Sequence, residues 1–175
     1  MSTGLIHICG ADELELLQDR SITHAVRITN PLTSLKSLPW FHGQELELYF
    51  GDVHSIEDAA QWKTEPPTMA EIKLAVDFTS AAFHQKNHKI LFHCDYGASR
   101  SPAMAYVCLA NYLGKGAEKK ALDIVMAARP DAMPNAYIVS LGDIILQRQG
   151  QLSRALMENA DPELDRFFGE IFGSK

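Results

Sequence analysis

The stretch KILFHCDYGASRSPAMAYVCL, residues 89–109, decides the fold of this chain. Its first part, 89–93, carries a continuous apolar run and predicts a buried strand. Residues 102–113 are apolar on nearly every face and predict a helix through the middle of the domain. The turn between them, 93–102, brings successive backbone N–H groups and the positive end of the helix into one concavity. Such a concavity suits a phosphate group.

Three residues in this turn point to a reaction with a phosphate group. Gly97 permits a backbone angle or a close approach that a side chain would obstruct. Arg100 can hold two phosphoryl oxygens with its planar guanidinium, whereas a lysine offers one point charge. Cys94 lies at the start of the turn, where the amide dipoles and Arg100 favour the thiolate. The pattern therefore predicts a nucleophile beneath a phosphate-binding loop formed by Asp95, Tyr96, Gly97, Ala98, Ser99 and Arg100.

Around this turn, short apolar strands alternate with helical patterns, which is typical of an α/β sheet. We expect a central, mostly parallel sheet of about four to five strands flanked by helices. Thr68 and Glu71 resemble a capping box at the start of an amphipathic helix over 68–86. Further strands are predicted at 5–9, 23–29 and 45–50, further helices at 11–19, 117–128 and 135–148, and irregular chain over 52–67.

Length and charge restrict the class of protein. The chain has 175 residues, 46% of them apolar, so we expect one domain over 1–175 with a tail from about 150. A short apolar helix is predicted to begin in this tail at Asp161. A net charge of −6 argues against nucleic acid and anionic membranes as partners. Three cysteines and no signal-peptide pattern predict a reducing, cytoplasmic location.

The stretch His-Cys-x5-Arg-Ser resembles the signature of the cysteine-dependent protein tyrosine phosphatases. The small size and the turn Arg129-Pro130 to Pro134-Asn135 are similar to the dual-specificity branch, and the run from Leu46 to about Leu152 looks like small bacterial proteins of this type. The resemblance implies hydrolysis of a phosphomonoester through a phosphocysteine intermediate, without a metal or other cofactor. It also implies that Ser101 hydrogen-bonds the cysteine sulfur and that His93 tunes the thiol through hydrogen bonds.

The same family uses an aspartate as general acid to protonate the leaving oxygen. The usual spacing of about thirty residues before the cysteine reaches Trp62, so this chain departs from the family pattern. Asp52 directly follows a predicted strand and is the favoured acid, with an insertion after it. Asp58, in the irregular stretch, is the alternative.

Several alternatives stay open at the level of sequence. The substrate is a phosphorylated molecule, with protein phosphotyrosine or phosphoserine/threonine favoured over a nucleotide, a sugar phosphate or a phosphoinositide. A phosphate-binding module without turnover is the competing class of function. Cys108 is expected to be inert packing rather than a resolving thiol for Cys94, and the pair His84 and His88 is expected to be a solvated helix end rather than a metal site.

Overall fold

The computed structural model of the protein describes residues 5–160. Four parallel strands form one sheet in the order β1-β4-β2-β3. This arrangement confirms the predicted α/β fold. The strands are β1 (Ile6–Cys9), β2 (His24–Thr29), β3 (Gln44–Tyr49) and β4 (Ile90–His93). The helices are a 3₁₀ helix (Ala11–Leu17), α1 (Ile56–Trp62), α2 (Met69–Phe83), α3 (Arg100–Leu113), α4 (Glu118–Ala128), α5 (Ala136–Ile145) and α6 (Gln151–Ala160).

The two faces of the sheet are covered differently. Buried side chains of α2 to α6 pack on the face that presents Val26 and Phe92, and α3 is buried along most of its length. The other face, which presents Ala25 and Leu91, is covered by the 3₁₀ helix and by the loop that contains Trp40. The central position of α3 agrees with its apolar sequence and fixes the end of the helix that meets β4.

The capping box that predicted α2 is present. Thr68 Oγ1 accepts a hydrogen bond from the Glu71 N–H (3.3 Å), and Glu71 Oε2 accepts one from the Thr68 N–H (2.9 Å). These bonds satisfy backbone groups that the first turn of a helix leaves unpaired.

Two helices differ from the sequence prediction. The stretch 52–67, expected to be irregular, contains α1, which begins where Ser55 Oγ accepts a hydrogen bond from the Asp58 N–H. The expected tail from about 150 begins instead with α6. Leu152 in this helix is fully buried, and its backbone carbonyl accepts a hydrogen bond from the Tyr106 hydroxyl. Tertiary contacts stabilise both helices, which are too short to form alone. The apolar helix predicted from Asp161 lies outside the described residues.

Within residues 5–160, no helix combines the length and the apolar character that crossing a bilayer requires.

Candidate active site

The loop between β4 and α3, residues 94–100, is called the phosphate loop below. Its carbonyl groups bond outward to the rest of the protein. Asp95 O accepts a hydrogen bond from the Ala11 N–H (3.0 Å), Ala98 O from Met133 N–H (2.7 Å) and Ser99 O from Asn135 N–H (3.2 Å). Because C=O and N–H point in opposite directions across a trans peptide, the N–H groups that follow these carbonyls face the other way. Over 95–99 no acceptor of the described residues bonds them, which leaves a concave set of donors suited to an anion.

Gly97 allows the phosphate loop to lie against β1. Its φ is +68°, a value that L side chains rarely adopt. A Cβ at this position would also lie 2.5 Å from Cys9 C and from Gly10 N. The position therefore requires glycine for its backbone angle and for its close approach to another backbone.

Cys94 and Ser101 meet at the floor of the loop. The Cys94 side chain is 2% exposed, and Ser101 Oγ donates a hydrogen bond to its Sγ at 3.2 Å. Ser101 is fully buried in the first turn of α3, so this hydroxyl has little freedom to rotate away. The contact is the one that the resemblance implied.

Arg100 is held on two sides of its guanidinium. Nη1 donates to Phe50 O (2.9 Å) and Nη2 to Asp95 Oδ2 (2.7 Å), while Nε has no hydrogen-bond partner within residues 5–160. Asp95 is fixed in turn by Asn30 Nδ2, which donates to its Oδ2 at 2.9 Å. The Arg100 side chain is only 2% exposed, so it is oriented by contacts with the end of β3 and with the loop itself.

Asp52 follows β3 and meets the phosphate loop from the other side. Its Oδ1 accepts hydrogen bonds from Ser99 Oγ (2.7 Å) and Asn135 Nδ2 (2.8 Å). Its Oδ2 lies 3.9 Å from Arg100 Nε, and the side chain is 34% exposed. Hydrogen bonds to Oδ1 therefore orient the Asp52 carboxyl so that Oδ2 lies beside Arg100, the residue that would hold a phosphate.

Asp58, the alternative acid, has a different environment. Its Oδ2 accepts a hydrogen bond from the His54 N–H at 3.2 Å, and its own N–H donates to Ser55 Oγ. Asp58 thus takes part in the first turn of α1. It does not belong to the lining of the cleft described below.

His93 lies beneath the loop, beside Arg27 and Cys9 in the strand register. It is 2% exposed, and neither ring nitrogen has a hydrogen-bond partner within the described residues. Burial, aided by the positive charge of Arg27, lowers the pKa of His93 to about 4, so the ring is neutral near pH 7. The ring hydrogen bonds that the resemblance implied for His93 are thus absent from residues 5–160.

The remaining cysteines and the histidine pair do not line the cleft described below. Burial raises the pKa of Cys108 to about 12 and that of Cys9 to about 12, so both thiols stay protonated. His84 Nδ1 lies 2.6 Å from Ser80 O at the end of α2, and His88 Nδ1 lies 2.9 Å from Gln85 O in the chain that follows the helix. His88 is buried, so the expectation of a solvated helix end is wrong for this residue. Within residues 5–160 no group of three or more His, Cys, Asp or Glu side chains has metal-binding geometry.

An open cleft of about 500 Å³ lies above the phosphate loop. One side is formed by residues 52–65, which we call the cleft wall; it contains Asp52, α1 and the irregular chain that leads from α1 towards α2. The cleft is lined by Asn30, Pro31, Leu32, Asp52, Val53, Trp62, Lys63, Thr64, Glu65, Asp95, Tyr96 and Arg100.

Sequence reasoning missed two functional contributors. Asn135 was recognised only as part of a turn, yet it caps α5 and donates from Nδ2 to Asp52 Oδ1 and Val53 O. The Phe50 carbonyl that fixes Arg100 carries no sequence signal. The position of Asn135 before an apolar helix indicated a cap. Its second role depends on the contact between α5 and the cleft wall.

Comparison with known proteins agrees with this geometry. Residues 9–144 match the family model described as "Dual specificity phosphatase, catalytic domain". Human DUSP28 superposes with a TM-score of 0.63 at 20% identity, covering 83% of this chain and 93% of that one. A sequence comparison with curated proteins finds no match.

Two further solved structures share the fold. The human tyrosine phosphatase-like serine/threonine/tyrosine-interacting protein gives a TM-score of 0.58 at 21% identity, with 78% of this chain and 83% of that chain covered. PTPMT1 in complex with PI(5)P gives 0.56 at 14% identity, with 90% and 95% covered. The family model covers most of the chain, and the chain belongs to the family of dual-specificity phosphatase catalytic domains.

Proposed function

We propose that the protein hydrolyses phosphomonoesters through a phosphocysteine intermediate, and that phosphorylated proteins are its substrates. One observation carries this proposal: the Arg100 guanidinium and the Asp52 carboxyl line one cleft, and the buried Cys94 thiol lies at the start of the loop of unbonded amide groups beneath that cleft. These are the nucleophile, the phosphate-binding groups and the acid that the reaction requires.

In the first step, the Cys94 thiolate attacks phosphorus and the bond from phosphorus to the leaving oxygen breaks. Asp52 gives its proton to that oxygen, while Arg100 and the loop amides hold the phosphoryl oxygens. The step yields the free hydroxyl compound, a phosphocysteine and an Asp52 carboxylate.

In the second step, water attacks the phosphocysteine and the sulfur–phosphorus bond breaks. Asp52 takes a proton from the water, and the electron pair returns to Cys94 Sγ. Ser101 Oγ, 3.2 Å from that sulfur, donates a hydrogen bond that stabilises the departing thiolate. Inorganic phosphate then leaves, and both residues are restored.

The test is turnover of p-nitrophenyl phosphate by the wild type, Cys94→Ser and Arg100→Lys, each measured with and without EDTA. The wild type should turn over, and Cys94→Ser should lose at least about 10⁴-fold because serine cannot replace the thiolate. Arg100→Lys should also lose activity, since one point donor replaces a bidentate group. Cys108→Ala is the matched control, because that thiol is buried in the core on α3, away from the phosphate loop, and this variant should keep its activity.

The competing class, a binding module without turnover, makes the opposite prediction. A wild type that binds inorganic phosphate in calorimetry but hydrolyses no ester would contradict the enzyme proposal. Full activity in Cys94→Ser, or loss of activity on chelation, would contradict the mechanism.

A further inference from the structure

Exposed apolar side chains surround the mouth of the cleft. Leu32 is 96% exposed, Trp62 is 70% exposed and Tyr96 is 81% exposed, and all three line the cleft. They come from three separate segments: the loop after β2, the C-terminus of α1 and the phosphate loop. We call this set the apolar rim. Single exposed apolar residues are common, whereas a group of them around a binding cleft marks a surface for contact with a ligand.

The charges in the cleft disfavour a second anionic group. The lining contains the carboxylates of Asp52, Glu65 and Asp95, against the cations of Lys63 and Arg100. Asp95 and Arg100 already form an ion pair at 2.7 Å. A substrate that carries one phosphate can use Arg100 and the loop amides. Asp52 enters the proposed first step as the uncharged acid, so further negative charge near the rim would face Glu65 and Lys63, whose charges cancel, and would gain no net attraction.

The Trp62 side of the rim is fixed to the candidate acid. The Gly51 N–H donates to Glu65 O at 2.8 Å, and a Cβ on Gly51 would lie 2.5 Å from Thr64 Cγ2. The chain after Trp62 therefore packs directly against the residue that precedes Asp52. A surface held in this way can position a substrate relative to the reacting groups.

We propose that the apolar rim binds the residues on either side of the phosphorylated side chain of a peptide, and selects peptides whose flanking residues are apolar and carry no further negative charge. This inference rests on the proposed function for the phosphate that fills the loop. It deepens that function by naming the kind of residue that flanks the phosphorylated side chain in the substrate and the residues of this protein that contact it. A peptide is favoured over a phosphoinositide in a membrane, because the cleft carboxylates and a net charge of −6 both repel an anionic lipid surface.

The first arm of the test measures preference between two phosphotyrosyl peptides. One has leucine and phenylalanine beside the phosphotyrosine, and the other has glutamates at those positions. The wild type should show a kcat/KM roughly 10-fold or more higher for the apolar peptide, and Trp62→Ala should reduce this ratio severalfold through KM. Leu74→Ala is the control, since Leu74 is similarly exposed on α2 but lies outside the cleft, and the ratio should not change.

The second arm reverses the charge of Glu65, which lines the cleft beside the apolar rim. Glu65→Lys should raise kcat/KM for the glutamate-flanked peptide by roughly fivefold, since it replaces a repulsive group by an attractive one. Glu57→Lys makes the same change in net charge on an exposed face of α1 that does not line the cleft. This control should leave the preference unchanged, and an equal gain in both variants would show long-range attraction rather than contact at the rim.

A binding measurement separates this inference from the proposed function. Dissociation constants of both peptides are measured by calorimetry for Cys94→Ser, alone and combined with Trp62→Ala. If the wild type hydrolyses no ester but the apolar peptide binds more tightly in a Trp62-dependent way, the proposed function fails and the rim assignment stands. The assignment is overturned by equal or reversed peptide preference, by a preference independent of Trp62, or by faster turnover of PI(5)P vesicles than of either peptide.

Discussion

The phosphate loop and the cleft wall border the same cleft and both follow parallel strands, but they are held in different ways. The loop is fixed along its length by outward carbonyl bonds, by the ion pair of Arg100 with Asp95 and by the backbone angle of Gly97. The cleft wall is joined to the rest of the site by the bonds of Asp52, by the bond that Val53 O accepts from Asn135 Nδ2 and by one backbone bond from Gly51. The phosphate loop, which would hold the phosphate, therefore tolerates little displacement. The cleft wall, which would contact the flanking residues of a substrate, is less tightly constrained.

The first prediction compares a glycine substitution in the phosphate loop with one at Gly51, the residue that precedes the cleft wall and packs against it. Gly97→Ala should lower the free energy of unfolding by about 3 kcal/mol and activity by at least about 10²-fold, because its Cβ meets backbone at an unfavourable φ. Gly51→Ala should cost about 1 kcal/mol and roughly 10-fold in activity, since its Cβ meets the Thr64 side chain, which can shift. Urea denaturation and steady-state kinetics check both; similar losses would show that the two regions are equally constrained.

The second prediction separates two aspartates within the cleft wall. Asp52→Asn should lower turnover of alkyl phosphates by roughly 10²–10³-fold, because the leaving alkoxide needs a proton. The loss should be smaller for p-nitrophenyl phosphate, and the alkaline limb of the bell-shaped pH–rate profile should flatten. Asp58→Asn should have little effect, since Asp58 interacts with the first turn of α1. A large loss that depends on the leaving group in Asp58→Asn alone would move the acid to that residue.

The third prediction tests the tie between the two regions. Asn135→Ser keeps an oxygen that can cap α5 but removes the amide that donates to Asp52 Oδ1 and Val53 O. Turnover of alkyl phosphates should fall about 10-fold, the size of the lost hydrogen bond to Asp52, and the lost bond to Val53 O should lower the free energy of unfolding by about 1 kcal/mol.

A purely structural role for Asn135 would lower activity equally for all leaving groups. The acid-positioning role predicts a smaller loss for p-nitrophenyl phosphate than for an alkyl phosphate, and combining Asn135→Ser with Asp52→Asn should add little further loss.

The last prediction concerns stability rather than turnover, and the strand beneath the loop. Burial lowers the pKa of His93 to about 4, from the ordinary value of 6.5 that it recovers on unfolding. Between these values the unfolded chain binds a proton that the folded chain excludes, so stability is lost as pH falls from about 6.5 towards 4. Between pH 7 and pH 5, His93 should lower the free energy of unfolding by roughly 2 kcal/mol.

His93→Asn should remove this part of the pH dependence, as measured by urea denaturation at both pH values. His7 and His24, whose pKa values are also lowered by burial, remain in the variant and account for what is left. An unchanged slope in His93→Asn would mean that its ring is not buried in the neutral form.

The sequence alone determined the α/β class, the strand at β4, the buried helix α3 and the residues of the phosphate loop. The reason is that these features are local. A continuous apolar run, a helix apolar on all faces and a glycine at a fixed place in a turn each carry their signal in adjacent residues. The capping box of α2 is equally local, and it is present as predicted.

Only the tertiary structure decided what meets across the cleft. The sequence left two aspartates open as the acid, and the choice depends on Ser99 and Asn135, which lie 47 and 83 residues away from Asp52 along the chain. The helix α1 has too few residues to form alone, so its presence depends on tertiary contacts such as the burial of Ala59 and the hydrogen bond from the Gly51 N–H to Glu65 O just after the helix. The apolar rim likewise joins residues from three segments, because parallel strands bring their carboxyl ends, and the loops that follow them, to one edge of the sheet.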